Sequence, residues 1–240
     1  MMVRLFAALL FVACMAQNAL AGPLLVAAGA GYKKLVDEAA TVYEAKTGRK
    51  VELLYGNMGQ ILGQVKGGGG IDIVCGDKNY LSTSGVDFDS YVEIGQGHLV
   101  VAFAKGVTLA APQDIVKPEI KKLAMPDPAK AIYGKAATEY LEKSGQAEKV
   151  KDKLLVVGTV PQVTAYLVSG EVDAGFINVT DAKGVADKIG GMLPVDQSMY
   201  SPIRIVAGIL KETRDKPEVK DFSAFLASED AKKLAAAHGL

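Results

Sequence analysis

The apolar positions of the chain fall into two alternating rhythms. Leu24-Leu25-Val26-Ala27-Ala28 is an unbroken apolar run that ends at Gly29-Ala30-Gly31, which predicts a buried strand closed by a turn. Residues 33–46 then set Leu35, Ala39, Val42 and Tyr43 on one helical face, ahead of Gly48 as a stop. Residues 51–55 predict a second strand. Met58, Ile61, Leu62 and Val65 return to helical spacing, Gly67-Gly68-Gly69-Gly70 makes a turn, and residues 71–75 predict a third strand. Strands that alternate with amphipathic helices in this way predict α/β units with parallel neighbours.

The rest of the chain repeats the theme. Strands are expected over residues 98–104, 122–125, 154–157, 174–177 and 203–209, and helices over 131–143, 160–168, 218–226 and 228–237. Thr159 followed by Gln162 forms a capping-box pattern, so the helix at Val160 has the best-marked start in the chain. There is no internal repeat and no Pro/Ser linker. Two domains without a linker suggest that strands themselves cross between them.

Residues 1–21 read as an export signal. Arg4 supplies a positive start, an apolar run follows to Met15, and Ala19-Leu20-Ala21 has the small-residue form of a cleavage site before Gly22. The run is too short to span a bilayer as a helix. A second possibility, cleavage at Ala13-Cys14 with lipidation of Cys14, fits its neighbours Phe11 and Met15 less well. Cleavage after Ala21 leaves Cys75 as the sole thiol, which excludes an intramolecular disulfide.

Composition narrows the function. The chain has 27 basic and 27 acidic side chains, half of its residues are hydrophobic, and Trp is absent. With no basic field to hold a phosphate backbone, a nucleic-acid partner is not expected. Catalytic groups are scarce. The histidines are His98, inside a predicted strand, and His238 near the C-terminus, and no nucleophile elbow, zinc-helix motif, Cys pair or P-loop occurs. The chain is therefore not read as an enzyme, and no cofactor or metal is expected. Met58, Cys75 and His98 have no ligand spacing, so core packing is the better reading of all three.

What recurs is a strand that ends in Gly or a small polar residue and runs into a helix start. It happens at 28–32, 55–60, 157–162 and 177–180. Each junction points unpaired N–H groups and a positive dipole end at the carboxyl edge of a sheet. Four such junctions could hold an anion with no Lys or Arg. Every α/β protein has some of these junctions, so the pattern alone is weak.

The particular residues are more specific. Ala27-Ala28-Gly29-Ala30, Thr47-Gly48-Arg49-Lys50-Val51, Tyr55-Gly56-Asn57-Met58-Gly59 and Gly70-Ile71-Asp72-Ile73-Val74 occur in order. They are followed by Asp127-Pro128 with Ile132-Tyr133-Gly134-Lys135, by Gly175-Phe176-Ile177, and by Phe225-Leu226-Ala227-Ser228-Glu229-Asp230-Ala231. In order and spacing this series resembles the periplasmic molybdate-binding proteins of ABC importers, from Leu24 to the C-terminus. The resemblance implies an α/β, two-lobed periplasmic binding protein of type II. The lobes expected are residues 22–97 with a return over 206–240, and 98–205, with hinge crossings at 98–104 and 203–209. It also implies a small oxyanion such as molybdate or tungstate as ligand, an inner-membrane ABC permease as partner, a periplasmic location and a monomer.

The ligand positions depart from the family. The resemblance implies serines where Ala30 and Met58 stand, and a tyrosine where Asn178 stands; Val160, at the capped helix start, is ordinary. Ala30, Asn57, Met58, Val160, Asn178 and Tyr133 are therefore the expected site residues, with Gln60 and Thr180 near enough to contribute. Losing hydroxyl donors leaves open another small anion or polar solute, and a periplasmic sensor in place of an importer.

Overall fold

The computed structural model describes residues 23–240; the expected export segment and the Ala21 cleavage lie outside them. Strand β1 (Leu24–Gly29) has Val26, Ala27 and Ala28 fully buried, as a central strand with both faces covered requires. Helix α1 (Lys33–Thr47) buries Leu35, Val36, Ala39, Ala40 and Tyr43 and ends at Gly48, whose φ of 71° only glycine adopts at low cost. Strand β2 (Val51–Gly56), helix α2 (Met58–Lys66), strand β3 (Ile73–Asp77) and the single turn α3 (Lys78–Ser82) follow.

Strands β4 (Phe88–Gly97) and β5 (Leu99–Phe103) are separated by His98 alone. Beyond them come β6 (Leu123–Pro126), α4 (Ile132–Lys143), α5 (Ala147–Val150), β7 (Leu154–Val157) and α6 (Val160–Ser169). Then β8 (Ala174–Asn178), α7 (Val179–Lys183), β9 (Gly191–Pro194), β10 (Ile203–Leu210), α8 (Pro217–Leu226) and α9 (Glu229–Ala237) complete the chain.

The strands form two sheets of five, in the orders β2-β1-β3-β10-β4 and β7-β6-β8-β5-β9. Each has a parallel trio, β2-β1-β3 in one and β7-β6-β8 in the other, beside one antiparallel strand. That strand comes each time from the other sheet: β5 directly from β4, and β10 from β9. The expected crossings shift accordingly. Leu99–Phe103 pairs wholly within the second sheet and Ile203–Leu210 wholly within the first, so the connections between lobes run through His98 and through residues 195–202.

Parallel strands point their carboxyl ends the same way, and in both lobes those ends lead to helix starts at the cleft. Residues beneath this edge are packed hard. Val74, Val101, Ala102, Leu123, Ala174 and Phe176 are fully buried, each large side chain being worth about 1.5–3 kcal/mol. The site is thus carried by the two sheets and not by free loops.

Candidate ligand-binding site

The two lobes close over one cavity lined from both sides. From the first come Gly29, Ala30, Gly31, Tyr32, Gly56, Asn57, Met58, Gly76 and Asp77; from the second, Lys130, Ala131, Ile132, Tyr133, Thr159 and Val160. The cavity is small and nearly filled by its own walls in this shut form, with room on the scale of a compact ion or a few waters. Five of the six expected residues, Ala30, Asn57, Met58, Val160 and Tyr133, share this lining.

Asn178 does not line the cavity. It is fully buried, its Oδ1 accepts from Asp181 N–H at 3.1 Å to cap α7, and its Nδ2 donates to Gly31 O at 2.9 Å across the cleft. Its oxygen and one of its amide hydrogens are engaged, so it joins the lobes from outside the lining. Gln60 is engaged too: its N–H donates to Asn57 Oδ1 at 2.9 Å, and its Oε1 accepts from Asn57 N–H at 3.2 Å, completing the cap of α2. Thr180 is buried with its hydroxyl unpaired and lies outside the lining.

Met58 has two roles. Its side chain is 4 % exposed among Ala27, Ile61, Leu62, Val74 and Leu81, packed so close that a Cβ on Gly76 would lie 2.9 Å from its methyl carbon. Its N–H donates across the cleft to Lys130 O at 3.2 Å. One N–H of this helix start is therefore already satisfied by the opposite lobe.

The helix starts of the second lobe are freer. Ala131 leads into α4 with no side-chain cap. The N–H groups of Gly134 and Lys135 both reach Ala131 O, while those of Ile132 and Tyr133 meet no acceptor among the described residues. At α6, Thr159 Oγ1 accepts from Gln162 N–H at 3.4 Å and Thr159 N–H donates to Gln162 Oε1 at 3.1 Å, as the capping pattern requires. Pro161 has no N–H, which leaves that of Val160 at the cavity. Such N–H groups with their positive dipole ends favour an anion.

Three charged or polar groups at the cavity escaped the sequence reading. Lys130 is exposed at its mouth, with Nζ 3.2 Å from Asp127 Oδ2. Asp77 is 3 % exposed; its Oδ1 accepts from Tyr80 N–H at 2.9 Å and its Oδ2 from Arg204 N–H at 3.0 Å. Burial raises its pKa above the usual carboxylate value, and these N–H groups oppose the rise. Tyr32 Oη donates to Tyr133 Oη at 2.9 Å, both rings being buried. Burial, first of all, holds both phenols above the ordinary tyrosine range, so both are neutral donors. The only sign of Tyr32 in the sequence is its place just past Gly29-Ala30-Gly31.

Tyr133 reaches the hinge. An ideal Cβ on Gly97, the last residue of β4, would lie 2.2 Å from Tyr133 Oη and 2.9 Å from Ile203 Cγ2. Glycine there lets the tyrosine lie against the end of β4, beside the His98 connection, when the lobes are shut. Lys34 Nζ, donating to Gly184 O at 2.6 Å, adds a cross-lobe contact at the surface.

A family model described as bacterial extracellular solute-binding protein matches residues 24–240. The chain belongs to this family. The molybdate-binding protein ModA of Rhodobacter capsulatus is 26% identical to this solute-binding protein over 242 residues, or 97% of this chain and 93% of that one. Among solved structures, the periplasmic molybdate-binding protein of Azotobacter vinelandii matches with a TM-score of 0.82 at 23% identity, over 90% of this chain and 97% of that one. The sulfate-binding protein SubI of Mycobacterium tuberculosis matches at 0.70 and 18% identity, over 91% and 86%. The two-lobed fold of this solute-binding protein is therefore that of binding proteins, and its relatives are named for binding.

Proposed function

We propose that the chain is the extracytoplasmic solute-binding protein of an ABC importer, taking a small oxyanion into the interlobe cavity and delivering it to a membrane permease. The observation that carries this reading is the meeting of helix starts from both sheets at one cavity, with the N–H groups of Ile132, Tyr133 and Val160 unpaired there. Molybdate or tungstate is the first ligand to test, because relatives across nearly the whole chain are named for molybdate. Cleavage after Ala21 would release the chain into the periplasm; no helix among the described residues is long and apolar enough to cross a membrane.

The working cycle follows from the connections. Rotation about His98 and residues 195–202 opens the cleft, an anion enters, and closure brings α4 and α6 against the β1 turn and α2. Closing also removes water, which strengthens every N–H contact to the charge. Met58, Ile132 and Val160 form an apolar wall, which favours as a second reading a small organic anion with some non-polar surface. Calorimetric titration of the mature protein with molybdate, tungstate, sulfate and phosphate tests the proposal. Saturable binding of at least one is expected, and heats indistinguishable from dilution for all four would overturn it.

A further inference from the structure

Two hydroxyls bonded to each other hold two protons and spend one. If Tyr32 donates to Tyr133, as the 2.9 Å contact is oriented, the Tyr133 proton has no acceptor among the described residues; reversing the bond leaves the Tyr32 proton over instead. Either way one O–H donor is unspent inside a buried site, where an unmade hydrogen bond is costly. Both residues belong to the cavity lining. The Asn178 amide, donating to Gly31 O, also favours the charged form of the Tyr133 phenol. The Tyr133 oxygen is thus surrounded by donors, and its own proton must be directed elsewhere.

We propose that the Tyr32–Tyr133 pair, one tyrosine from each lobe, donates this remaining proton to the bound oxyanion and so supplies the hydroxyl contact that Ala30 and Met58 cannot make. The pair forms only when the lobes are shut, so the donor is assembled by closure. Tyr133 is the residue that touches the ligand; Tyr32 positions it by filling the Tyr133 lone pair. This rests on the oxyanion reading above.

The test uses the mature protein with sodium molybdate and sodium tungstate as probes. Removing one hydroxyl donor to a charged ligand costs roughly 10–100-fold in affinity, so Tyr133→Phe is expected to weaken binding by that factor. Tyr32→Phe should weaken it less, because the Tyr133 proton stays available. The chain lacks Trp, so its near-ultraviolet absorbance is dominated by tyrosine. A phenol that gains an anionic acceptor should give a difference band on adding the anion, retained in Tyr32→Phe and lost in Tyr133→Phe. Wild-type affinity in Tyr133→Phe would overturn the proposal, as would a band that persists in that variant. Should Tyr133→Phe not fold, a wild-type protein that binds the anion without any tyrosine band overturns it equally. These outcomes leave the oxyanion reading standing. Failure of the wild type to bind any of the four oxyanions removes that reading and the role of the pair together.

Discussion

Asp77 puts a carboxyl at a site read as anionic, which sets the sign of its pH dependence. Burial raises its folded pKa above the usual carboxylate value, against the pull of the N–H groups of Tyr80, Arg204 and Asn79 and of the Lys135 charge. A carboxyl with a raised folded pKa favours the folded state fully below its unfolded pKa, and that contribution is lost as pH rises through the folded value. A bound anion nearby raises the pKa further, so binding takes up a fraction of a proton. Affinity is expected to strengthen as pH falls toward the Asp77 titration. Titrations in buffers of different ionisation heat should show proton uptake that grows as pH falls; proton release, or no uptake even in acid, would contradict it. Asn57 allows a second test. Asn57→Asp keeps the oxygen that caps α2 and should hold the unfolding midpoint, since Asp caps as well as Asn. It also places a negative charge in the lining, and a loss of about 10–100-fold in oxyanion affinity is expected. Unchanged affinity would show that the anion does not approach this helix start.

At the level of elements, the run from β1 to β3 was legible because its strands are short, mainly apolar runs and its helices carry a clean stripe. The Thr159 cap and its helix were legible for the same local reason. β4 was not. Its sequence, Phe88-Asp89-Ser90-Tyr91-Val92-Glu93-Ile94-Gly95-Gln96-Gly97, does not alternate, and its register against β10 slips between Ile205 and Val206 and again between Ile209 and Leu210. Each bulge shifts the inward face by one residue and erases the period of two. β9 is four residues bounded by Gly191 and Pro194, and α3, α5 and α7 are single turns that owe their form to packing. Within the site, the Gly-rich junctions could be read from spacing. Asn178 could not be told from a ligand donor, because its acceptor, Gly31 O, lies 147 positions away. The pairing of Tyr32 with Tyr133 likewise exists only once two lobes meet.

For the whole molecule, closure depends on how tightly the lobes meet at the hinge. Gly97→Ala would set a methyl 2.2 Å from Tyr133 Oη in the shut form, an overpacking that costs roughly 1–3 kcal/mol. The shut form should become about 5–150-fold less favoured, with ligand affinity falling in proportion. Small-angle scattering with saturating molybdate should show compaction in the wild type and a more open Gly97→Ala protein at the same ligand concentration. Equal compaction in both would show that Tyr133 does not bear on the end of β4.

The exchange of antiparallel strands also governs when the first lobe can exist at all. β10, which sits between β3 and β4, is residues 203–210 of a chain whose first sheet otherwise ends at Gly97. Until that late segment is available, β4 has no neighbour and the inner edge of β3 is bare. The helices that cover this sheet, α8 and α9, come later still, with Phe222 and Leu226 in its core. A polypeptide emerging N-terminus first therefore carries residues 24–97 as an incomplete sheet until β10 is made. In a chain exported unfolded, that delay would keep the first lobe threadable until β10 is made.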